Sequence, residues 1–196
     1  MISILDYGMG NLRSVQKAFE YLGEEVEIVT SLSRVSRLVI PGVGAFGAAM
    51  ERLSGFKRDI QSFAAGGQPI LGICLGQQLL FETSEEHGSH AGLEIIGGSV
   101  KYFSSDLNLK VPHIGWSSIQ CLSAKMRRNL DGASEVYFVH SLYTECSNPS
   151  DIAIESVYGI KFAAAIERNN VWGMQFHPEK SSQVGLQLLK NWSELC

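Results

Sequence analysis

A cysteine between two glycines is the residue of this sequence best placed to act as a nucleophile. Residues 72–76 read GICLG, with an apolar run at 69–71 before them and a segment of helical character at 77–81 after them. A strand, a tight turn and a helix, with the nucleophile at the turn, form a nucleophile elbow, which usually carries serine. Flanking glycines tolerate the strained turn, and a helix N-terminus favours the reactive thiolate. We therefore predict that Cys74 is a nucleophile, with a cysteine packed in the core as the alternative.

A thiol nucleophile needs a general base, and the base needs a group that orients its ring. Residues 171–176 predict a strand, and Pro178 keeps His177 out of the helical region. Because extended residues two apart point to the same side, we expect His177 and Glu179 to share one face. The carboxylate would then accept a hydrogen bond from one ring nitrogen and leave the other for the thiol, as in a catalytic triad.

The tetrahedral intermediate of acyl transfer needs hydrogen-bond donors for its oxyanion. The N–H of Leu75, directly after the nucleophile, is the first candidate. Val43 and Gly44 follow the apolar strand at 38–40 in the run PGVG, where glycines allow backbone N–H groups to turn inward. We predict that these residues complete an oxyanion hole, with a glycine turn of no function as the alternative.

The order of the elements indicates which fold positions these groups. Up to about residue 84, apolar strands alternate with helices, which is typical of a parallel sheet wound on both sides. Beyond residue 97, short strands with short connections favour antiparallel or mixed pairing. The predicted strands occupy residues 2–5, 26–29, 38–40, 69–73, 99–103, 117–120, 136–140, 152–157, 162–166 and 171–176. Helical patterns cover residues 15–22, 48–63 and 182–195, and without any linker we predict one domain over residues 1–196.

Composition excludes several classes of function. The chain has 196 residues, 45% of them hydrophobic and 18% charged, and its net charge is −4. No basic patch suits a nucleic acid, and no apolar stretch suggests a membrane span or a signal peptide. The four cysteines have no CxxC spacing, which is typical of a reducing cytoplasm rather than of a zinc or disulfide framework. We therefore expect a cytoplasmic location and no nucleic-acid or membrane partner.

Two other patterns resemble binding motifs only in part. The run at residues 8–10 begins like a dinucleotide fingerprint, but Arg13 stands where the third glycine belongs. His87 and His90 have no third metal ligand nearby, and the polar stretch around them predicts a surface loop. We therefore predict neither a cofactor nor a metal. Two further histidines are equally consistent with structural and functional roles, His113 and His140.

Together these motifs resemble the class I (triad) glutamine amidotransferases and, among them, the glutaminase subunits of imidazole glycerol phosphate synthase. The triad motif, GICLGQQ with HPE, is specific to the superfamily, and the runs PGVG and VPHIGW are specific to the subunit. The resemblance spans nearly the whole chain, with motifs at residues 6–11, 41–46, 72–78, 111–116, 137–141 and 175–181. It implies an α/β, flavodoxin-like class I amidotransferase fold with a mixed, mostly parallel central sheet, flanking helices and a small antiparallel extension.

The resemblance also implies an activity, the hydrolysis of L-glutamine to glutamate and ammonia. Cys74 would attack the side-chain amide and form a thioester, His177 would move the protons, and Glu179 would orient His177. Ammonia would pass to a (β/α)8-barrel cyclase partner in a heterodimer, which forms imidazole glycerol phosphate and an aminoimidazole carboxamide ribotide in histidine biosynthesis. The implied glutamine-binding residues are Gly44, Gln78, Ser141 and Leu142.

Glutaminases of this family are nearly idle until the partner's ligand activates them. Val43 lies between two glycines, so its peptide can rotate, and we hypothesise that its N–H points away from the thiolate in the resting chain. The residues expected at strand ends beside the partner are Asn11, Trp116, Tyr137 and Lys180. The alternatives are a solvated lysine at position 180 and a core aromatic at position 116.

Three rival interpretations make different demands on the sequence. The amidotransferase subunit of pyridoxal phosphate synthesis is expected to carry GGES, whereas residues 41–44 read PGVG. A non-catalytic module with this fold would have lost a member of the predicted triad, and a thiol-redox protein would have a second cysteine near the first. The sequence departs from the family pattern at Leu142 and in the basic run at residues 31–37. Neither departure touches the triad.

Overall fold

The computed structural model describes residues 1–130 and 134–196, whose strands form two sheets. Within these residues the strands are β1 (Ile2–Leu5), β2 (Val26–Val29), β3 (Leu38–Gly42), β4 (Ile70–Cys74), β5 (Phe81–Ser84), β6 (His90–Ala91), β7 (Ile96–Tyr102), β8 (His113–Cys121), β9 (Ser134–His140), β10 (Leu142–Cys146), β11 (Ile152–Tyr158), β12 (Ile160–Arg168) and β13 (Val171–Met174). The α-helices are α1 (Leu12–Tyr21), α2 (Phe46–Leu53), α3 (Lys57–Ala65), α4 (Leu75–Leu79), α5 (Ala124–Arg127) and α6 (Ser182–Leu195).

The larger sheet has nine strands in the order β2-β1-β3-β4-β13-β12-β11-β8-β9. Neighbours are parallel from β2 to β13 and antiparallel from β13 to β9. Because strand direction alternates from β13 through β12, β11 and β8, β9 runs in the same direction as β4. The carboxyl ends of β3, β4, β13 and β9 therefore lie along one edge of the sheet, the edge at which open α/β folds bind ligands.

Helices cover both faces of the parallel strands, as expected for strands buried along their whole length. Successive residues of β3 alternate between two apolar clusters, with Val39 in one and Ile40 in the other. The first cluster includes α1 and α6, where the rings of Phe19 and Trp192 lie 5.7 Å apart. The second includes α2 and α3. The strand ends that carry the site are thus held by packing from both sides.

A second sheet has four strands in the order β10-β7-β5-β6 and differs from the sequence prediction. The polar stretch at 84–90 predicts a loop, which residues 85–89 form, while Ser84 and His90 at its ends pair across β5 and β6. The predicted helix over 77–81 ends at Leu79, and Phe81 begins β5. The pattern also misses β10. Short strands like these depend on pairing with partners distant in sequence, which local propensity does not encode.

The apolar pattern over residues 48–63 predicts helical packing, and the structure contains two helices there, α2 and α3. Ser54 ends the first helix and Phe56 caps the second, with Gly55 between them. Glycine costs a helix about 1 kcal/mol relative to alanine, so the break falls where continuation is weakest. Both helices still direct apolar residues into one cluster, and this explains the continuous periodicity. No helix in the described residues is long and apolar enough to cross a membrane.

Candidate active site

The elbow predicted at residues 72–76 lies between β4 and α4. Cys74 has φ 55° and ψ −112°, a strained conformation for a residue with a side chain. The turn leaves no room for side chains beside it. A Cβ on Gly72 would lie 2.5 Å from the Gly76 carbonyl oxygen, and a Cβ on Gly76 would overlap the Ile40 carbonyl of β3. The two glycines are therefore required by the close approach of the turn to the sheet.

Cys74 faces a cavity of about 270 Å³ at the edge where the parallel strands end. The residue is 7% exposed, and its sulfur lies 3.8 Å from the Val139 carbonyl oxygen of β9. His177 lines the same cavity. So do all residues predicted for the oxyanion hole and for glutamine binding, namely Val43, Gly44, Leu75, Gln78, Ser141 and Leu142. The fold thus brings groups from distant parts of the chain to one site.

His177 reaches the cavity through a turn rather than through an extended strand. β13 ends at Met174, and Glu179 lies in a short 3₁₀ helix, Pro178–Lys180. His177 and Glu179 therefore do not share the face of a strand, and that prediction is wrong. The expected contact still forms, because the turn folds the carboxylate back toward the ring. The Nδ1 atom of His177 lies 2.9 Å from Oε1 of Glu179.

Hydrogen bonds to β9 hold this turn in place. The N–H of His177 donates to the Tyr137 carbonyl at 3.0 Å. The N–H of Tyr137 donates to Ser181 Oγ at 2.9 Å, and that hydroxyl donates to the His177 carbonyl at 2.6 Å. Ser181 is fully buried. Ser181 therefore positions the base. The only sequence signal for this role is that Ser181 closely follows the HPE run.

His177 and Glu179 form a buried pair. Burial by itself lowers the pKa of His177, but hydrogen bonding and attraction to Cys74 and Glu179 raise it to about 10. The Glu179 side chain is 1% exposed, and its Oε2 has no hydrogen-bond partner among the described residues. A protonated imidazole therefore compensates the buried carboxylate and can pair with a thiolate at Cys74.

Two glutamines connect the cavity wall to the thiol. The Nε2 group of Gln78 donates to the Leu142 carbonyl at 3.3 Å and to Gln175 Oε1 at 2.9 Å. The Nε2 group of Gln175, which is fully buried, then lies 3.9 Å from Cys74 Sγ and donates toward it. With both of its N–H groups in use, Gln78 keeps its Oε1 for a ligand. The sequence motifs predict a role for Gln78 but none for Gln175.

Tyr7 supports the loop that carries the predicted oxyanion donors, although the sequence pattern does not single it out. Its hydroxyl donates a hydrogen bond of 2.8 Å to the Pro41 carbonyl. Burial, with a smaller contribution from Cys74, raises the pKa of Tyr7 well above its usual value, so the hydroxyl remains a donor. Beyond Pro41, Gly44 has a φ of +102°, a conformation that favours glycine. The resting orientation of the Val43 peptide stays a prediction.

Glu86 adds a carboxylate to the cavity wall. It follows β5, and its Oε2 accepts a hydrogen bond from the Phe46 backbone N–H at the start of α2. A helix N-terminus attracts negative charge, so this bond fixes the position of the carboxylate at the cavity wall. Sequence reasoning misses Glu86, because an acidic residue in a polar stretch is usually solvated.

The residues predicted to face a partner lie on elements that end near the site. Asn11 caps α1, where its side chain accepts from the Ser14 N–H at 3.4 Å. Trp116 and Tyr137 are cross-strand neighbours on β8 and β9, with rings 6.0 Å apart. Trp116 is 50% exposed, so the alternative of a core aromatic is wrong. Lys180 is exposed at the end of the turn that carries the base.

The remaining cysteines do not line the cavity that Cys74 faces. Cys121, Cys146 and Cys196 form no disulfide. Burial raises the pKa of Cys146 and of Cys196 to about 12, which keeps both as unreactive thiols. In the part of the chain that the structure describes, no group of three or more His, Cys, Asp or Glu side chains is arranged to hold a metal.

The chain is similar to a known family of proteins. The class-I glutamine amidotransferase family matches residues 3–194. Two similar proteins are named imidazole glycerol phosphate synthase subunit HisH. That of Chlorobaculum tepidum is 47% identical over 99% of this chain and 100% of the relative, and that of Syntrophotalea carbinolica is 48% identical over 100% of each.

Two solved structures are similar in fold. That of PurLQS from Thermotoga maritima has a TM-score of 0.76 at 17% identity and covers 98% of this chain and 97% of that one. A crystal structure of a glutamine amidotransferase has a TM-score of 0.75 at 16% identity and covers 98% of both. The chain therefore belongs to the class-I glutamine amidotransferase family and, within it, to the HisH family of imidazole glycerol phosphate synthase subunits.

Proposed function

We propose that this chain is the glutaminase subunit of an imidazole glycerol phosphate synthase. It hydrolyses L-glutamine to glutamate and ammonia, and the ammonia serves a cyclase partner in histidine biosynthesis. The observation that carries the proposal is that Cys74 and His177 line one cavity, with Glu179 at 2.9 Å from the far side of the imidazole. The subunit name shared by the relatives supports the same reaction.

In the first step, the Cys74 thiolate attacks the side-chain amide carbon of glutamine. The carbonyl oxygen becomes an oxyanion, for which the N–H groups of Leu75 and of the Val43–Gly44 segment are the proposed donors. His177, protonated in the resting site, gives its proton to the amide nitrogen. The carbon–nitrogen bond breaks, ammonia leaves, and a γ-glutamyl thioester remains on the sulfur.

In the second step, water hydrolyses the thioester. The imidazole of His177, now neutral, takes a proton from the water as the oxygen attacks the thioester carbon. Collapse of the intermediate breaks the carbon–sulfur bond and releases glutamate. The sulfur leaves as a thiolate beside a protonated His177, so the site returns to its starting charge. Glu179 stabilises this positive charge in both steps.

The α-ammonium and α-carboxylate groups of the glutamine substrate are proposed to bind to different residues of the cavity. Gln78 Oε1 and the Glu86 carboxylate are acceptors suited to the α-ammonium group. Backbone groups of Ser141 and Leu142 suit the α-carboxylate, and Gly44 provides a close approach without a side chain. All five residues line the cavity.

The partner is proposed to be a (β/α)8-barrel cyclase that forms a heterodimer with this chain in the cytoplasm. The proposed contacts are Asn11, Trp116, Tyr137 and Lys180. The half-exposed Trp116 supports a docking surface there, since aromatic residues are enriched at interfaces. Binding of the cyclase ligand would turn the Val43 N–H toward the oxyanion and so activate the glutaminase. The whole chain, residues 1–196, is proposed to form a single domain.

The test is a glutaminase assay on the purified chain, alone and with the cyclase and its nucleotide ligand. We expect ammonia release chiefly from the complex, and we expect Cys74→Ala to reduce it by about 10⁴-fold or more without preventing complex formation. Cys196→Ala, which removes a thiol at the chain end, is the matched control and should keep full activity. Continued ammonia release by Cys74→Ala would refute the proposed nucleophile.

A further inference from the structure

Two buried histidines lie beside the active site, one of them in its wall, but have no part in the proposed chemistry. His113 begins β8 and His140 ends β9, and the two residues are opposite each other in the strand register. They are 3% and 6% exposed, and His140 lines the cavity. Nδ1 of His113 lies 3.0 Å from Nε2 of His140. A direct contact between two imidazoles in the interior calls for a physical explanation, because each polar atom lost hydration when it was buried.

The neighbours of the pair determine which ring nitrogens carry hydrogen. Nδ1 of His140 lies 2.7 Å from the Leu142 carbonyl oxygen, which can only accept, so this nitrogen is protonated. Nε2 of a neutral His140 then accepts from Nδ1–H of His113. Nε2 of His113 in turn accepts from the Ser117 hydroxyl at 2.9 Å. The hydrogen bonds therefore run in one direction, from Ser117 to the Leu142 carbonyl.

Aromatic packing keeps both rings neutral and fixed. The His113 ring is stacked between Tyr158, with centroids 4.0 Å apart, and Phe138, at 4.9 Å. The His140 ring contacts Phe162 at 5.2 Å. Burial lowers the pKa of His113 and lowers that of His140 to about 3. An apolar side chain would pack equally well in these surroundings. Histidine differs from such a side chain only in the directed hydrogen bonds that it makes.

The Leu142 carbonyl links the pair to the proposed substrate contacts. It accepts one hydrogen bond from His140 and a second from Gln78 Nε2. Gln78 also donates to Gln175, which donates toward the Cys74 sulfur. The direction in which the Leu142 carbonyl points therefore decides how the Gln78 amide is oriented and which of its atoms faces the cavity.

We propose that His113 and His140 are positioning residues for glutamine binding, because together they hold the Leu142 carbonyl that orients Gln78. Neither residue touches the reacting atoms. The pair acts on the ground-state complex with glutamine, so its loss raises KM more than it lowers kcat. This inference rests on the proposed glutaminase function and adds two residues to it.

The experiment compares His140→Leu with His140→Asn in the complex with the cyclase. The two substitutes have the same branched side-chain shape, but only asparagine carries an N–H group near the position of Nδ1. We expect His140→Leu to raise the KM for glutamine about 10-fold, the effect of one lost buried hydrogen bond, and His140→Asn to restore most of the affinity. If packing alone matters, the apolar leucine is the better replacement, and a KM for His140→Leu at or below that of His140→Asn overturns the proposal.

A second pair of variants decides the matter if His140→Leu does not fold. His113→Asn keeps a donor for Nε2 of His140 and His113→Leu does not, so only the leucine variant should raise KM. Equal KM values for these two variants overturn the proposal. Ammonia release by the unsubstituted complex tests the proposed function separately. If that complex is inactive, the function itself fails, whereas an active complex with unchanged KM in the leucine variants refutes only the positioning role.

Discussion

The parallel and antiparallel halves of the nine-stranded sheet contribute to the site in different ways. In the parallel half, every residue of β3 and β4 is buried. In the antiparallel half, less exposed and more exposed residues alternate along β8 and β9. The elbow and the proposed oxyanion loop end strands of the parallel half. The turn that carries His177 is hydrogen-bonded to β9, and the two paired histidines also belong to the antiparallel half.

This difference in burial decides whether a strand serves only the folded core or can also contact a partner. A strand buried on both faces has no surface for another protein, and its turns are packed so closely that a methyl group does not fit. A strand with one exposed face can pack its inner side against the core and present its outer side to a partner. We therefore expect added side chains at the glycine turns of the parallel half to affect folding, and substitutions in the antiparallel half to affect catalysis or partner binding in a folded chain.

The largest effect is expected for Gly76→Ala in the parallel half. The added Cβ would overlap the Ile40 carbonyl of β3, and neither backbone segment can move without breaking the sheet. We expect a loss of about 3 kcal/mol or more in the free energy of unfolding, measured by urea denaturation, together with loss of glutaminase activity. Gly55→Ala is the control, because a Cβ there meets nothing within 4 Å. Similar stability of the two variants would contradict the comparison.

The next effect is expected for Glu179→Gln, which alters the turn bound to the antiparallel half. Glutamine keeps an oxygen near His177 but removes the charge that stabilises the imidazolium. We expect kcat of the cyclase complex to fall about 10³-fold with little change in the free energy of unfolding. Glu135→Gln, at an exposed position of β9, should leave kcat unchanged. A decrease of less than 10-fold in Glu179→Gln would show that orientation by the carboxylate is unimportant.

A smaller effect is expected for Trp116→Ala on the exposed side of β8. The isolated chain should lose little stability, because half of the side chain is already in water. Affinity for the cyclase should fall about 10-fold, as expected for an aromatic residue at the centre of an interface, and calorimetric titration measures it. Tyr21→Ala is the control, since Tyr21 is 74% exposed at the far end of α1. Equal affinities of both variants would place the docking surface elsewhere.

The smallest expected effect is a shift in the pKa of His177 in the variant Cys74→Ala, which should remain folded. The pKa of His177 is raised to about 10, partly by Cys74, so the folded chain keeps the imidazolium that an unfolded chain loses near pH 6.5. This stabilising charge is fully present below pH 6.5 and is lost as the pH rises through 10. In Cys74→Ala the pKa of His177 should fall, so the proton leaves at lower pH. NMR of the imidazole measures the shift, and an unchanged pKa would exclude a charge interaction between the two halves.

Much of the parallel half is readable from local sequence. The strands at residues 2–5 and 26–29 have the bounds of β1 and β2, and the helix over 182–195 has the bounds of α6. Fully buried strands are continuous apolar runs, and the elbow depends on adjacent residues in one tight turn. The family and its reaction follow from such runs and motifs, and the match to the class-I amidotransferases confirms them.

The antiparallel half was predicted less well, because its structure depends on contacts between distant residues. β8 begins at His113 rather than at 117, and β9 begins at Ser134 rather than at 136. The contact of His177 with Glu179 was predicted for the wrong reason, since a turn, and not a strand, makes it. Gln175, Ser181 and Glu86 carry no local signal, because their partners lie far away in the sequence.

The sequence by itself determined the chemical groups, the elbow and the family, since these reside in residue types and short spacings. Only the tertiary structure decided which carbonyl each buried amide and imidazole bonds to. It also decided that β9 runs in the direction of β4, which brings His140 and the turn of His177 to the edge that carries Cys74. The physical reason is that a buried polar group must be satisfied by a partner in space, and strand order alone determines which partners are near.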